Sequence, residues 1–268
     1  MNRRAFLAGV GALSLGIPRL GGAAEEGSRL GVVTYNIHHA EGTDGRLDLD
    51  RIAGVLRELD ADVVCLQEVD RNQPRTEKLD MPALLAEKLG MEPAYGVNYR
   101  FSGGDYGVLT LTRLPLLAQK NTPLANPEKN PEPRGCLTVT VRWQDREVDI
   151  HNTHLGLSPK ERAAQVEDIL PLLRPDTPTL LLGDLNEGPD APAVARLRER
   201  LADTFTGPKD EGSLPGAKKA RRIDFILASP HFRAVESVVH ATDTTRTASD
   251  HFPCRAVLAW RDSTPATS

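Results

Sequence analysis

Three short apolar runs constrain this chain most: residues 30–37, 63–66 and 179–182, each stopping at polar residues. Each reads as a buried strand. Helical patterns lie between them. Over 48–59, Leu49, Ile52, Val55, Leu56 and Leu59 fall on one face, with Asp48 placed as the cap. A short helix is expected over 81–89, stopped by Gly90, another over 159–173 with proline in its first turn, and a third over 191–201. Further β-type runs occupy 94–99, 106–112, 136–143 and 147–153, then 223–228, 233–240 and 253–260. Helices dispersed among so many strands point to two sheets covered by helices in one α/β domain. No repeat or Ser/Gly linker marks a boundary, so a single domain over 25–268 is expected.

Residues 1–24 read differently. Arg3-Arg4-Ala5-Phe6-Leu7 precedes a short uncharged apolar run and small residues ending at Ala23-Ala24, the order of an export signal; the paired arginines resemble the twin-arginine motif. Export to the periplasm or beyond the cell is therefore expected, with no stable membrane insertion once this segment is removed. It carries three arginines and no acid, so its loss moves the formal charge from −4 to −7. A negative body is a poor general magnet for phosphate backbones, although local patches matter more than totals. With 4% aromatic residues, a stacking platform for single strands is not suggested. Cys65, Cys136 and Cys254 sit apart in apolar runs and read as buried thiols; export would also permit one disulfide among them.

Polar residues gather at strand ends: Asn36 and His38, Glu68, His154, Asp184 and Asn186, with Asp224 inside a strand and Ser249-Asp250-His251 before the last one. Strand ends are rigid supports, which a site needs. Carboxylates and carboxamides without thiolate favour a hard cation such as Mg²⁺ or Mn²⁺. Neighbouring histidines would stabilise charge on phosphate oxygens. Singly, each has a plainer reading: Asp184 and Asn186 as turn and cap residues, Glu68 as a solvated strand end, His154 and His251 as structural histidines. Asp224 is the exception, because an acid between Ile223 and Phe225 needs a partner.

The ordered series Thr34-Tyr35-Asn36-Ile37, Leu66-Gln67-Glu68-Val69, Asn152-Thr153-His154-Leu155, Gly183-Asp184-Leu185-Asn186, Arg222-Ile223-Asp224-Phe225 and Ser249-Asp250-His251 resembles the endonuclease/exonuclease/phosphatase superfamily, the deoxyribonuclease I-like metal-dependent phosphohydrolases. The resemblance implies a four-layer α-β-β-α sandwich of two packed mixed sheets with the site at one sheet edge. Carried over by position, Asn36, Glu68 and Asp250 would hold the metal, Mg²⁺ or Mn²⁺. Glu68 has a second role in some members, supporting the histidine matching His154. Asp184 would deprotonate the attacking water, with Asn186 positioning it. His154 and His251 would donate to phosphoryl oxygens, and Asp224 would hold the His251 ring.

Substrate-binding candidates are His38, Arg134 and Arg222. His38-His39 and the Asp44-Gly45 turn follow the Asn36 strand, and Arg134-Gly135 resembles a family turn near the site. Arg222 ends a basic group with Lys218, Lys219 and Arg221, which reads either as a solvated loop or as a phosphate-gripping rim. The modest loops point to an exported monomeric phosphodiesterase or phosphatase acting on a small or lipid-derived phosphoester. A nuclease acting on DNA or RNA is the alternative, ahead of sphingomyelinase-like cleavage, which usually needs an apolar membrane-contacting loop. A non-catalytic binding protein of the same fold is disfavoured by the intact residue set.

Overall fold

Alternate residues of the first strand, β1 (Arg29–Asn36), enter two different apolar clusters, Leu30 and Val32 in one, Val33 and Tyr35 in the other. β2 (Val63–Arg71) divides the same way, with Val63 and Cys65 against Val64 and Leu66. Burial on both faces explains why these runs carry no polar alternation. The computed structural model describes residues 29–129, 131–216 and 221–261. The export signal at 1–24 and the pair Lys218-Lys219 lie outside the described residues.

One sheet runs in the order β11 (Phe232–Val239), β12 (Cys254–Trp260), β1, β2, β4 (Gly104–Thr112), β3 (Glu92–Phe101). The other runs β5 (Leu116–Pro123), β6 (Gly135–Trp143), β7 (Arg146–His154), β8 (Thr179–Asp184), β10 (Asp224–Ala228), β9 (Ala202–Asp203). Each sheet holds one parallel pair, β1–β2 and β7–β8, among antiparallel neighbours. The parallel pairs need crossovers, supplied by α1 (Leu49–Leu59) and α3 (Pro159–Ile169). α1 and α2 (Met81–Leu89) cover the first sheet through Ile52, Leu56, Met81 and Leu85. α3 and α4 (Pro192–Leu197) cover the second through Val166, Ile169, Val194 and Leu197. A third cluster, including Val32, Val63, Val139, Ile150 and Leu182, fills the space between sheets. Three clusters between four layers make the α-β-β-α sandwich that the sequence resemblance implied.

A buried polar network crosses that inter-sheet core. Gln67 Nε2 donates to Asn152 Oδ1 (2.8 Å) and Thr34 Oγ1 (3.1 Å), while Asn152 Nδ2 donates to the carbonyls of Leu109 (3.0 Å) and Leu66 (3.2 Å). Both residues are fully buried. Removing the amide in Asn152→Ala leaves Gln67 and two carbonyls short of partners. Each costs about 1–3 kcal/mol, so a loss of roughly 3 kcal/mol or more is expected in chemical denaturation. A loss below about 1 kcal/mol would mean the network contributes little.

Local signals are satisfied where expected. Asp48 Oδ1 accepts the Arg51 N–H at 2.8 Å, and Gly90 closes α2 at φ 62°. Some boundaries moved. β2 continues past Glu68 to Arg71 through a bulge. α3 stops at Ile169 and a 3-10 turn at Leu170–Leu172 follows, because Pro171 has no N–H to donate. α4 ends at Leu197 instead of 201. β5 and α5 (Asp243–Ala248) were not expected. Cys65, Cys136 and Cys254 are buried free thiols. Among the described residues, no helix is long and apolar enough to cross a membrane.

Candidate active site

Strand register assembles the site. His154 at the end of β7 pairs with Asp184 at the end of β8, and Asp184 pairs with Asp224 at the start of β10. In the other sheet Asn36, at the end of β1, lies opposite Gln67, next to Glu68. Ser249-Asp250-His251 joins from the segment before β12, where Ser249 Oγ donates to the Asn36 carbonyl at 2.9 Å. One cleft of about 660 Å³ opens over this cluster, with Glu68, His154, Asp184, Asn186, Asp250 and His251 on its walls and Asn36 and Asp224 outside its lining.

Asp184 is the hub. Its Oδ2 accepts from Asn36 Nδ2 at 3.1 Å and faces His154 Nε2 at 3.5 Å and His251 Nε2 at 3.7 Å. Its Oδ1 accepts the Asn186 N–H at 2.9 Å. Burial, and then the Asp224 charge, push the Asp184 pKa up to about 7, against the pull of His251. Asp224 Oδ2 lies 2.8 Å from His251 Nδ1. Burial acts to lower the His251 pKa, but the charge and hydrogen bond of Asp224 outweigh it and raise the ring to about 10. His251 is therefore an imidazolium at neutral pH. The partner that Asp224 required is this ring.

His154 differs. Burial, Arg134 and His251 hold its pKa well below the ordinary value, so its ring is neutral. Arg134 Nη1, which can only donate, lies 3.4 Å from His154 Nδ1. Nδ1 is therefore the acceptor and the proton sits on Nε2, facing Asp184. The site thus combines a charged and a neutral imidazole, both presenting N–H groups.

Unusual backbone aims several of these side chains. Glu68 (φ 58°), in the β2 bulge, and Asn186 (φ 54°) are left-handed, as are His38, His39 and Ala40 at 45°, 42° and 62°. Such residues cost about 1–2 kcal/mol each when they carry a Cβ, and strain of this kind collects at functional sites. Gly183, before Asp184, has φ 154°; a Cβ there would lie 1.9 Å from the Thr153 carbonyl oxygen. Only glycine lets β8 approach β7 this closely.

The donor set fits a divalent cation. Glu68 and Asp250 offer carboxylates to the cleft, the oxygen chemistry that Mg²⁺ and Mn²⁺ accept, and Asn36, buried beside Glu68, carries an amide oxygen that accepts the His38 N–H at 3.1 Å. Burial raises the Glu68 pKa and the Asp250 charge adds to it, while Asn36 Nδ2, donating at 3.0 Å, relieves it in part. A bound cation would remove that penalty. Two further groups present ligand atoms within 4.8 Å of one another: Asp184, Asp224 and His251, and His38, His39 and Glu68.

Of the substrate-binding candidates, His38 and Arg134 line the cleft. Arg222 does not. Its guanidinium pairs with Asp203 (2.5 Å) and lies between the rings of Phe205 and Phe225, which commits it to the packing of β9 on β10. Asp44 pairs with Arg51 at 3.1 Å and is likewise outside the lining. Three contributors escaped sequence reasoning. Arg75 lies over the rings of Phe101 and Tyr106, and with Tyr99 they form an aromatic wall of the cleft. Ser213 Oγ accepts the N–H groups of Ile223 and Asp224, both at 3.1 Å, and fixes where Asp224 begins its strand. Ser213 carried no signal in the sequence.

Residues 33–251 match the model of the Endonuclease/Exonuclease/phosphatase family. A curated Escherichia coli K12 relative, the uncharacterized protein YbhP, is 28% identical over 172 residues, 58% of this chain; the match spans 66% of that relative's length. Among solved structures, an endonuclease/exonuclease/phosphatase from Beutenbergia cavernae superposes with a TM-score of 0.78 at 28% identity, covering 87% of this chain and 72% of that one. A mannosyl-6-phosphatase from Bacteroides thetaiotaomicron gives 0.68 at 20% identity, covering 86% and 100%, and shares the fold.

Proposed function

The chain belongs to the endonuclease/exonuclease/phosphatase family, and from that premise we propose that it is an exported, divalent-metal-dependent phosphoester hydrolase acting on a small phosphoester. The observation that carries the reading is the convergence of two imidazole N–H groups and one amide on Asp184. A carboxylate with a pKa of about 7, flanked by donors, suits a general base beside a phosphoryl group.

Asp184 takes the proton of the attacking water. His251, charged and held by Asp224, donates through Nε2 to one phosphoryl oxygen, and His154 donates through its Nε2–H to another. Asn186 is held by its Nδ2 bond to the Leu155 carbonyl (2.9 Å), which fixes its amide at the edge of the water's position. Glu68, Asp250 and Asn36 would hold Mg²⁺ or Mn²⁺, which when bound supplies charge neutralisation for the phosphoryl oxygens. Arg134, buried beside His154, adds fixed positive charge.

A cleft of about 660 Å³ has the size of a small-molecule site. Its aromatic wall and the exposed Leu157 at its rim suit an organic or lipid-derived group attached to the phosphate. The mannosyl-6-phosphatase of the same fold is one precedent for a small phosphoester. Export rests on Arg3-Arg4 and the apolar run after them.

The test is turnover of bis(p-nitrophenyl) phosphate and p-nitrophenyl phosphate by mature protein with Mg²⁺, Mn²⁺, Ca²⁺ or EDTA. Diester turnover that EDTA abolishes is expected for a phosphodiesterase; turnover of the monoester alone would make it a phosphatase. If both are inert while plasmid DNA is nicked, the substrate class becomes nucleic acid. Silence on all three would overturn the hydrolase reading.

A further inference from the structure

His38 and His39 follow β1 directly and enter the cleft from the side of Glu68. Their ring centroids are 4.4 Å apart, and one ligand atom from each lies within 4.8 Å of the other and of a Glu68 carboxylate oxygen. The three successive left-handed residues, His38 to Ala40, form the turn that carries both rings. The proposed hydrolytic steps use neither ring.

The hydrogen bonds decide which ring nitrogens are free. His38 Nδ1 lies 3.1 Å from the Glu41 carbonyl oxygen, which can only accept, so Nδ1 carries the proton and Nε2 carries a lone pair. His39 Nε2 lies 3.6 Å from Glu41 Oε2, while its Nδ1 is buried without a hydrogen-bond partner. One residue, Glu41, thus contacts both rings, by a carbonyl hydrogen bond to His38 and by a carboxylate in ion-pair range of His39. That is how metal-ligating histidines are usually held, the outer nitrogen toward a carbonyl or carboxylate and the inner one toward the ion. Glu68 Oε1 is taken by Asn36, which leaves Oε2. Arg75 is the nearby cation, and Asp70 neutralises it with bonds of 2.7 and 2.8 Å.

We propose that His38, His39 and Glu68 form a nitrogen-rich cation site that takes Zn²⁺ or a similar late first-row ion in preference to Mg²⁺. Two imidazoles and one carboxylate make a zinc-type donor set, whereas Mg²⁺ prefers oxygen and gives up water reluctantly. The site shares Glu68 with the oxygen-ligated position of the proposed hydrolase and rests on that reading only through this residue. An ion here would share the same cleft and be held by the two histidines in place of Asp250.

Metal-free wild-type protein is titrated with Zn²⁺ by calorimetry, alone and with a large molar excess of Mg²⁺, beside His38→Ala, His39→Ala, Glu41→Ala and Asp184→Asn. High-affinity Zn²⁺ binding that Mg²⁺ does not displace is expected for wild type. His38→Ala and His39→Ala should each lose more than the roughly 10–100-fold that removal of an outer partner costs, and Glu41→Ala, which keeps the carbonyl on His38 and removes only the carboxylate near His39, should lose less than about tenfold. Asp184→Asn should keep Zn²⁺ while losing turnover, so failure of this site and failure of the hydrolase reading are separate results. X-ray absorption of the Zn²⁺-loaded wild type covers the case in which a histidine variant does not fold. Imidazole scattering is expected there. An all-oxygen shell, displacement by Mg²⁺, or unchanged affinity in folded histidine variants would overturn the site.

Discussion

Asp184→Asn is expected to lower phosphoester turnover by about 10³-fold or more while leaving the fold intact, which places it in the upper part of the range for losing a positioned base. The substitution preserves shape, and the amide oxygen can still accept the Asn186 N–H. What it cannot do is take a proton from water. Its NH2 then meets the Asn36 Nδ2, His154 Nε2 and His251 Nε2 donors, a cost that relief of the buried carboxylate's penalty beside Asp224 offsets in part, so a modest loss of stability is expected. Steady-state rates beside a thermal melt check both halves of the expectation. A rate within tenfold of wild type would remove Asp184 from the chemistry, and a lost melting transition would make the rate uninformative about it.

His251→Ala should cost about 10²–10³-fold in kcat, the usual loss for one transition-state donor. Its companion is a pH profile. The base must be ionised, so activity rises with pH through about 7, the Asp184 value. The His251 donor must be protonated, so activity falls as pH rises through about 10. Asp224→Asn removes the charge that raises both groups, so both limbs should move to lower pH. An alkaline limb that stays in place in Asp224→Asn would mean that another group sets it.

The strands were legible because two-sided burial leaves uninterrupted apolar runs, and the polar residues that gather in the cleft were legible because they interrupt those runs at their ends. Asp224 drew attention for the same reason. β5 was not legible: it is an edge strand in which Leu117, Ala118, Gln119 and Lys120 are all exposed, so no apolar pattern betrays it. α5 is six residues of largely polar sequence, held by the reciprocal Thr242 and Thr245 cap instead of by an apolar face. Arg222 looked like a phosphate grip because its neighbours are basic. Its true partner, Asp203, is 19 positions away and reached only through β9 and β10 pairing. The left-handed backbone of Glu68 and Asn186 carried no signal, since neither is glycine. The aromatic wall draws on β3, β4 and a separate turn, and only sheet pairing brings them side by side.

The Gln67–Asn152 bonds have a mechanical consequence. Glu68 travels with one sheet and His154 and Asp184 with the other, so the two halves of the site meet only while the sheets keep their relative position. The apolar side chains between them resist separation but oppose sliding only weakly. The amide pair acts like a dowel between two planks: besides the stability it contributes, its directional bonds stop one from shearing along the other. A protein weakened there would lose the alignment of the cleft residues by slippage while each sheet, taken singly, kept every strand in place.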